Sequence, residues 1–97
     1  MKKSEEKRKL VKELTELYQQ LNIEQLYQSP DHRSSKAWLS EIAAILKNLD
    51  ETDFQDFLNH RQHLYPSIPI GTRKHASEQI DGFIRQKVAE YKRYDFS

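Results

Sequence analysis

The chain has 97 residues, 16 basic and 15 acidic side chains, a net charge of +1 and no cysteine. This length suits one domain with a single core, and the lack of cysteine excludes disulfides, thiolate metal sites and cysteine catalysis. No apolar run approaches the ~18–20 residues that span a bilayer, and no secretory signal follows the basic N-terminus. We therefore expect a soluble, cytoplasmic domain without a membrane partner.

A leucine repeat predicts a first helix over residues 3–21. Leu10, Leu14, Leu17 and Leu21 recur at spacings of four, three and four, which places them on one helix face. The same spacing is typical of a coiled-coil seam, but it lasts for only about two heptads. The stripe therefore predicts either a helix packed within its own domain or an arm that self-associates through these four leucines.

The segment after this helix predicts a break, and the most apolar stretch of the chain follows it. Pro30 cannot continue a helix, so residues 28–34 form the best linker candidate. Residues 35–49 then predict a central amphipathic helix, with Trp38, Ile42 and Ile45 in its apolar stripe. Ser34 or Ser35 is the expected N-cap of that helix.

Two further helices are predicted in the second half of the chain. Asp50 or Thr52 is the expected N-cap of a third helix over residues 52–64. Residues 65–71 contain two prolines and are expected to cross the bundle in an extended conformation, with Ile68 and Ile70 buried. A fourth helix is expected from Thr72 to about Tyr94.

These elements predict an all-α fold, a small four-helix bundle. Its first helix either packs with the other three or forms a partly detached arm. We expect one domain over residues 1–97, with residues 1–28 as the N-terminal helix or arm and residues 35–94 as the compact helical body. The expected core contains large apolar residues from every helix. They are Leu14, Leu17, Leu21, Trp38, Leu39, Ile42, Ile45, Leu46, Leu49, Phe54, Phe57, Leu58, Ile68, Ile80, Phe83, Ile84, Val88 and Tyr91.

Motifs that carry chemistry are weak in this sequence. His60 and His63 stand three residues apart, as two ligands of a metal could, but the spacing is common and we expect structural or surface histidines. The stretch Pro66–Pro69 matches P-x-x-P, although it is better explained as a connection between helices. We predict no catalytic residues, no metal and no cofactor, and hence no enzyme.

Basic residues of the fourth helix form the candidate interaction surface. Residues 29–60 carry a net charge of −3 and residues 61–97 a net charge of +3, a pattern that suits either packing of one part against the other or head-to-tail contact between copies. Basic and aromatic residues also alternate near residue 93, as in surfaces that bind nucleic acid. The candidate residues are Arg73, Lys74, Arg85, Lys92, Arg93 and Tyr94.

The leading functional prediction is a non-enzymatic protein–protein interaction module. It would act as an adaptor, a regulatory domain or an oligomerisation domain, as the N-terminal domain of a larger protein or by itself, and its partner would be another protein or a second copy. The alternative is a helical nucleic-acid-binding domain that uses the basic fourth helix.

Overall fold

The computed structural model describes the backbone of residues 2–93 and the side chains of residues 5–93, and it confirms the all-α fold. No strand occurs in that part of the chain. Five helices follow one another along residues 2–93. They are α1 (Lys2–Gln19), α2 (Ile23–Gln28), α3 (Arg33–Leu49), α4 (Glu51–Arg61) and α5 (Ile70–Arg93).

The four long helices are those that the sequence predicted, and their contacts form a closed circuit. Helix α1 packs against α3 and α5, and α4 also packs against α3 and α5. One core lies between them, contributed by all four. The division into an arm, residues 1–28, and a compact body, residues 35–94, stays a prediction.

The short helix α2 is the addition to the predicted bundle, and it lies on α5. Asn22 ends the connection from α1 and caps α2, because its side-chain oxygen accepts a hydrogen bond from the amide of Gln25 at 3.1 Å. Leu26 is only 2% exposed and joins the core. Six residues are too few to show a helical period, so the sequence predicts either that the first helix runs on here or that it restarts as one short turn.

Helix α1 enters the core through its second half. Val11 and Leu14 are buried, and Leu14 is completely inaccessible to solvent. In the first half of the helix, by contrast, Glu5, Glu6, Arg8 and Lys9 are exposed. The indole N–H of Trp38 in α3 donates to the carbonyl oxygen of Leu17 at 2.7 Å and attaches the end of α1 to α3. Helix α1 thus packs in cis over its second half.

Helix α3 begins earlier than predicted, and its cap differs. His32, not Ser34 or Ser35, is the N-cap, because its Nδ1 atom accepts from the amide of Ser34 at 3.2 Å. A ring nitrogen can take the place of the serine oxygen expected there. Asp50 caps α4 as predicted and accepts from the amide of Asp53 at 3.0 Å.

The segment before α5 is a turn and not the extended crossing that the sequence predicted. The amide of Ile68 donates to the carbonyl oxygen of Tyr65 at 2.9 Å, with Pro66 at the second position of the turn, which proline favours. Pro69 then precedes the first residue of α5, Ile70. The prediction that Ile70 is buried was wrong, because its side chain is 54% exposed.

A polar cluster joins α4 to α5 at the edge of the core. Buried Asp53 accepts a hydrogen bond from the hydroxyl of Tyr91 and forms an ion pair with Lys87 at 3.0 Å. Lys87 also contacts Glu90 at 3.0 Å. Burial, together with the hydrogen bond to Asp53, raises the pKa of Tyr91 far above its usual range.

This raised pKa predicts that the fold weakens at high pH. The neutral phenol is favoured in the folded state, so its stabilisation is complete below the unfolded pKa of about 10 and is lost as the pH rises above it. Urea denaturation at pH 8 and at about pH 11 should show a clear fall in the midpoint. The fall should be smaller in Tyr91→Phe, which has no phenol to ionise; an equal fall in both proteins would contradict the prediction.

Gly82 lies in the middle of α5. No close neighbour requires a glycine there, because a Cβ atom at Gly82 would meet nothing within 4 Å. Glycine inside a helix costs about 1 kcal/mol relative to alanine. Gly82→Ala should therefore raise the free energy of unfolding by about 0.5–1 kcal/mol, measured by urea denaturation. A lower free energy of unfolding in the variant would show that there is no room for the added methyl group.

Candidate functional site

The best candidate for a functional site is a groove between α1 and α3, which we call the α1–α3 groove. Its floor is apolar at both ends, since Leu17 of α1 lies beside Ile45 and the exposed Ala44 of α3, and Leu10 contributes to the other end. The groove continues along both helices. The α1 side consists of Glu6, Lys7, Lys9, Leu10, Glu13, Glu16, Leu17 and Gln20, and the α3 side of Glu41, Ala44, Ile45 and Asn48.

The two helices that form the groove run in opposite directions. Leu10 shares one end of it with Asn48 from the end of α3. Leu17, seven residues later, shares the other end with Glu41 from the middle of α3. Residues of α1 three and four apart face the groove because they occupy one side of the helix. Positions along the groove can therefore be measured by the rise of about 1.5 Å per residue of α1.

Charge is distributed unevenly along this groove. The stretch around Leu17, Ala44 and Ile45 is bordered by the carboxylates of Glu13, Glu16 and Glu41, and no cation lines it among the described side chains. The stretch around Leu10 is bordered by Lys7 and Lys9, together with Glu6 and Glu13. One end of the groove is thus acidic, whereas the other contains equal numbers of acidic and basic side chains, including the two lysines of the groove.

The four leucines of the predicted self-association face have different positions. Leu14 is completely buried in the core of its own chain. Leu21 packs against that core and is partly buried. Leu10 and Leu17 are also partly buried, but they line the groove and keep part of their surface open. Self-association through this helix would therefore use two of the four leucines together with side chains of α3.

Most of the basic residues predicted as an interaction surface are exposed on α5. Lys74, Arg85, Lys92 and Arg93 are all exposed, and Tyr94 lies outside the described residues. Glu78 lies on the same helix between the first two of these cations and is exposed as well. The surface is basic, but the basic groups are spread over nearly the whole helix.

Arg73 differs from the other candidates because its side chain is used inside the fold. Its Nε atom donates to the carbonyl oxygen of Tyr27 at 2.6 Å. Its Nη1 atom donates to the carbonyl oxygens of Ile68 at 2.6 Å and Pro66 at 3.2 Å. The guanidinium therefore joins the end of α2 and the turn before α5 to α5 itself, which explains a cation at the start of a helix, where the dipole disfavours it.

Two of the histidines and the P-x-x-P stretch have structural explanations, and His63 is exposed. The ring of His60 lies 5.5 Å from the ring of Phe83, and His32 caps α3. Within residues 5–93, no three potential metal ligands of the histidine, cysteine, aspartate or glutamate type come together. Residues 66–69 belong to the turn before α5, so they do not present an extended proline helix.

A smaller depression continues from the acidic end of the groove. It is lined by Trp38, Gln20 and Glu41 together with polar residues at the end of α1 and the start of α2. Ser35 also borders it, and its buried hydroxyl has no hydrogen-bond partner among the described residues. The hydroxyl is inaccessible to solvent, so the depression adds polar surface to this end of the groove rather than a separate site.

The acidic residues of the groove were not singled out from the sequence. Glu13 and Glu16 lie between Leu10 and Leu17 at helical spacing along α1, and this spacing is the signal that was available. It could not be interpreted without knowing that α3 packs beside α1 and contributes Glu41. The site thus depends on a contact between helices that no local pattern specifies.

Comparison of this chain with protein-family models, with curated proteins and with solved structures finds no match. None of the helices within residues 2–93 is both long enough and apolar enough to cross a lipid bilayer. A function for the chain must therefore be argued from the groove and from the surface of α5.

Proposed function

We propose that this domain is a non-enzymatic protein interaction module that receives a helix in the α1–α3 groove. The observation that carries the proposal is the pairing of an open apolar floor, at Leu17 and Ala44, with three carboxylates at its border. A groove between two helices, with apolar anchor positions and charged edges, is one of the recurring ways in which proteins bind a helix. Oligomerisation, adaptor and regulatory roles in the cytoplasm all fit this mode of binding.

The position of the groove supports this proposal. Its floor residues belong to the two helices that Trp38 holds together through its hydrogen bond to Leu17, so the groove is formed by packed elements and not by loops. Sites on helices are held more rigidly than sites on loops. Partial exposure of Leu10 and Leu17 leaves apolar surface whose burial would favour binding at about 25 cal/mol per Å².

Amide chemical shifts measured by NMR can test the proposal on the intact chain. We expect shift changes confined to the groove, at Leu10, Glu13, Leu17, Ala44 and Asn48, in at least one of two experiments. The first is dilution of the protein alone. The second is addition of a synthetic 18-residue amphipathic helix made of leucine and lysine, whose charge is opposite to that of the acidic end.

A matched pair of variants makes this test specific. Ala44 and Ala89 are both exposed alanines inside helices, but only Ala44 lines the groove. Ala44→Gln should reduce the shift changes, because the larger side chain occupies the floor, whereas Ala89→Gln should not. If neither dilution nor the peptide affects the groove residues, the proposed function is wrong.

Binding of nucleic acid is the second candidate function, and the exposed cations of α5 favour it. Lys74, Arg85, Lys92 and Arg93 lie on a single helix, and nucleic acids bind to proteins largely through their phosphates. An oligonucleotide of 20 nucleotides, single-stranded or duplex, should then change the amide chemical shifts of α5. It should bind less tightly as the salt concentration increases. The absence of binding at about 20 mM salt would rule out nucleic-acid binding through α5.

A further inference from the structure

We propose that the occupant of the α1–α3 groove is the same groove of a second copy, related to the first by a two-fold axis. This inference rests on the proposed function and names its partner. A two-fold axis makes the contact self-complementary and closed, as in most homodimers. The axis would pass near Glu13, the residue that both stretches of the groove share, and the two α1 helices would lie antiparallel.

The unequal charge along the groove supports this arrangement. A two-fold axis at the centre of the groove brings each end of one copy against the opposite end of the other. The end with Lys7 and Lys9 then faces the end with Glu16 and Glu41. In a parallel arrangement the acidic end would meet a second acidic end, which costs free energy.

The spacing along α1 fits the same arrangement. Lys9 lies four residues before Glu13, which is about 6 Å along the helix, and Glu16 lies three residues after it, about 4.5 Å. Across an axis at Glu13, Lys9 of one copy therefore stands level with Leu17 of the other, about 1.5 Å along the helix from the level of Glu16. Leu10 lies three residues before Glu13 and is level with Glu16 of the other copy, about 1.5 Å from the level of Leu17 and its apolar floor.

Glu13 is the unfavourable element of this contact, and it distinguishes the two-fold dimer from other occupants. The carboxylates of the two Glu13 residues would lie close together at the axis, and like charges across an interface repel. Glu13→Gln should therefore strengthen the dimer. If a basic helix of another protein occupied the groove, the same substitution would remove an attractive charge and weaken its binding.

The basic face of α5 is a less suitable occupant. Between Lys74 and Arg85 its exposed positions are His75, Glu78 and Gln79, which offer no large apolar side chain to the floor of the groove. A contact of α5 with the groove of a second copy would also be head-to-tail, and such contacts propagate into rings or filaments. That arrangement would appear in sedimentation equilibrium as assemblies larger than a dimer.

Sedimentation equilibrium over a range of concentrations tests the proposal on the intact chain. We expect a reversible dimer, weakened about tenfold or more by Lys9→Glu and by Glu41→Lys, because each substitution creates like-charge contacts at two symmetric positions. The double variant K9E/E41K exchanges the two charges and should restore the dimer to within about threefold of the native constant. Glu13→Gln should tighten it about two- to fivefold.

Lys12→Glu is the matched control for the change of charge. Lys12 is exposed on α1 but does not line the groove, so this variant should dimerise almost as the native chain does. Circular dichroism would verify that each variant is folded. A protein that is monomeric at millimolar concentration, a double variant weaker than both single variants, or assemblies larger than a dimer would overturn the proposal. If the leucine–lysine peptide still shifted the groove amides, only the choice of occupant would be wrong.

Discussion

Leu14→Ala should lower the free energy of unfolding by about 2–5 kcal/mol, the range for a buried leucine whose removal leaves a cavity. Leu14 is completely buried among residues of α1, α3 and α5. A small domain has a total stability of about 5–15 kcal/mol, so this loss is a large fraction. Urea denaturation should be followed at micromolar concentration, because dimer formation would add to the apparent stability.

Leu10→Ala is the control for this result, since the residue belongs to the same repeat and to the same helix. Leu10 is only partly buried and lines the groove, so its loss should cost much less stability and should weaken self-association instead. Equal stability losses from the two substitutions would show that the groove is closed in the monomer. A native-like midpoint for Leu14→Ala would show that α1 does not pack on its own chain.

Trp38→Ala should destabilise the fold by about 3–5 kcal/mol. The indole ring is 8% exposed within the core, and its N–H donates to the carbonyl oxygen of Leu17 at 2.7 Å. The substitution therefore removes both packing between α3 and α1 and the hydrogen bond that attaches the end of α1. The urea midpoint should fall steeply.

Trp38→Phe separates these two contributions. Most of the packing is kept, and the carbonyl oxygen of Leu17 retains the hydrogen bond that it accepts from the amide of Gln20 at 3.0 Å. We expect a loss of about 1 kcal/mol, as for one hydrogen bond. A loss as large as that of Trp38→Ala would mean that the hydrogen bond, and not the ring, attaches α1 to α3.

Helical periodicity predicted the long helices because each must bury one apolar face. Trp38, Ile42 and Ile45 are all buried, as their spacing in α3 indicated. The ends of the helices were predicted only to within two or three residues. His32 caps α3 because a ring nitrogen accepts a hydrogen bond that the pattern assigned to serine.

Features that depend on contacts between distant segments could not be predicted. The burial of Leu26 requires α2 to lie on α5, and the role of Arg73 requires three carbonyl oxygens from two other segments. The candidate site has the same origin. Leu10 and Leu17 were identified from their spacing, but the groove exists only because α3 brings Ala44 and Glu41 beside them.

A mixture of two variants tests the two-fold contact most directly. Lys9→Glu labelled with ¹⁵N and unlabelled Glu41→Lys would be combined in equal amounts, and native mass spectrometry would separate the three dimers by mass. In the mixed dimer one contact has exchanged charges and the other is native, whereas each homodimer contains two like-charge contacts. We predict that the mixed dimer greatly exceeds the statistical half of all dimers. A statistical distribution, or no dimer at all, would contradict the assignment of the groove as its own partner.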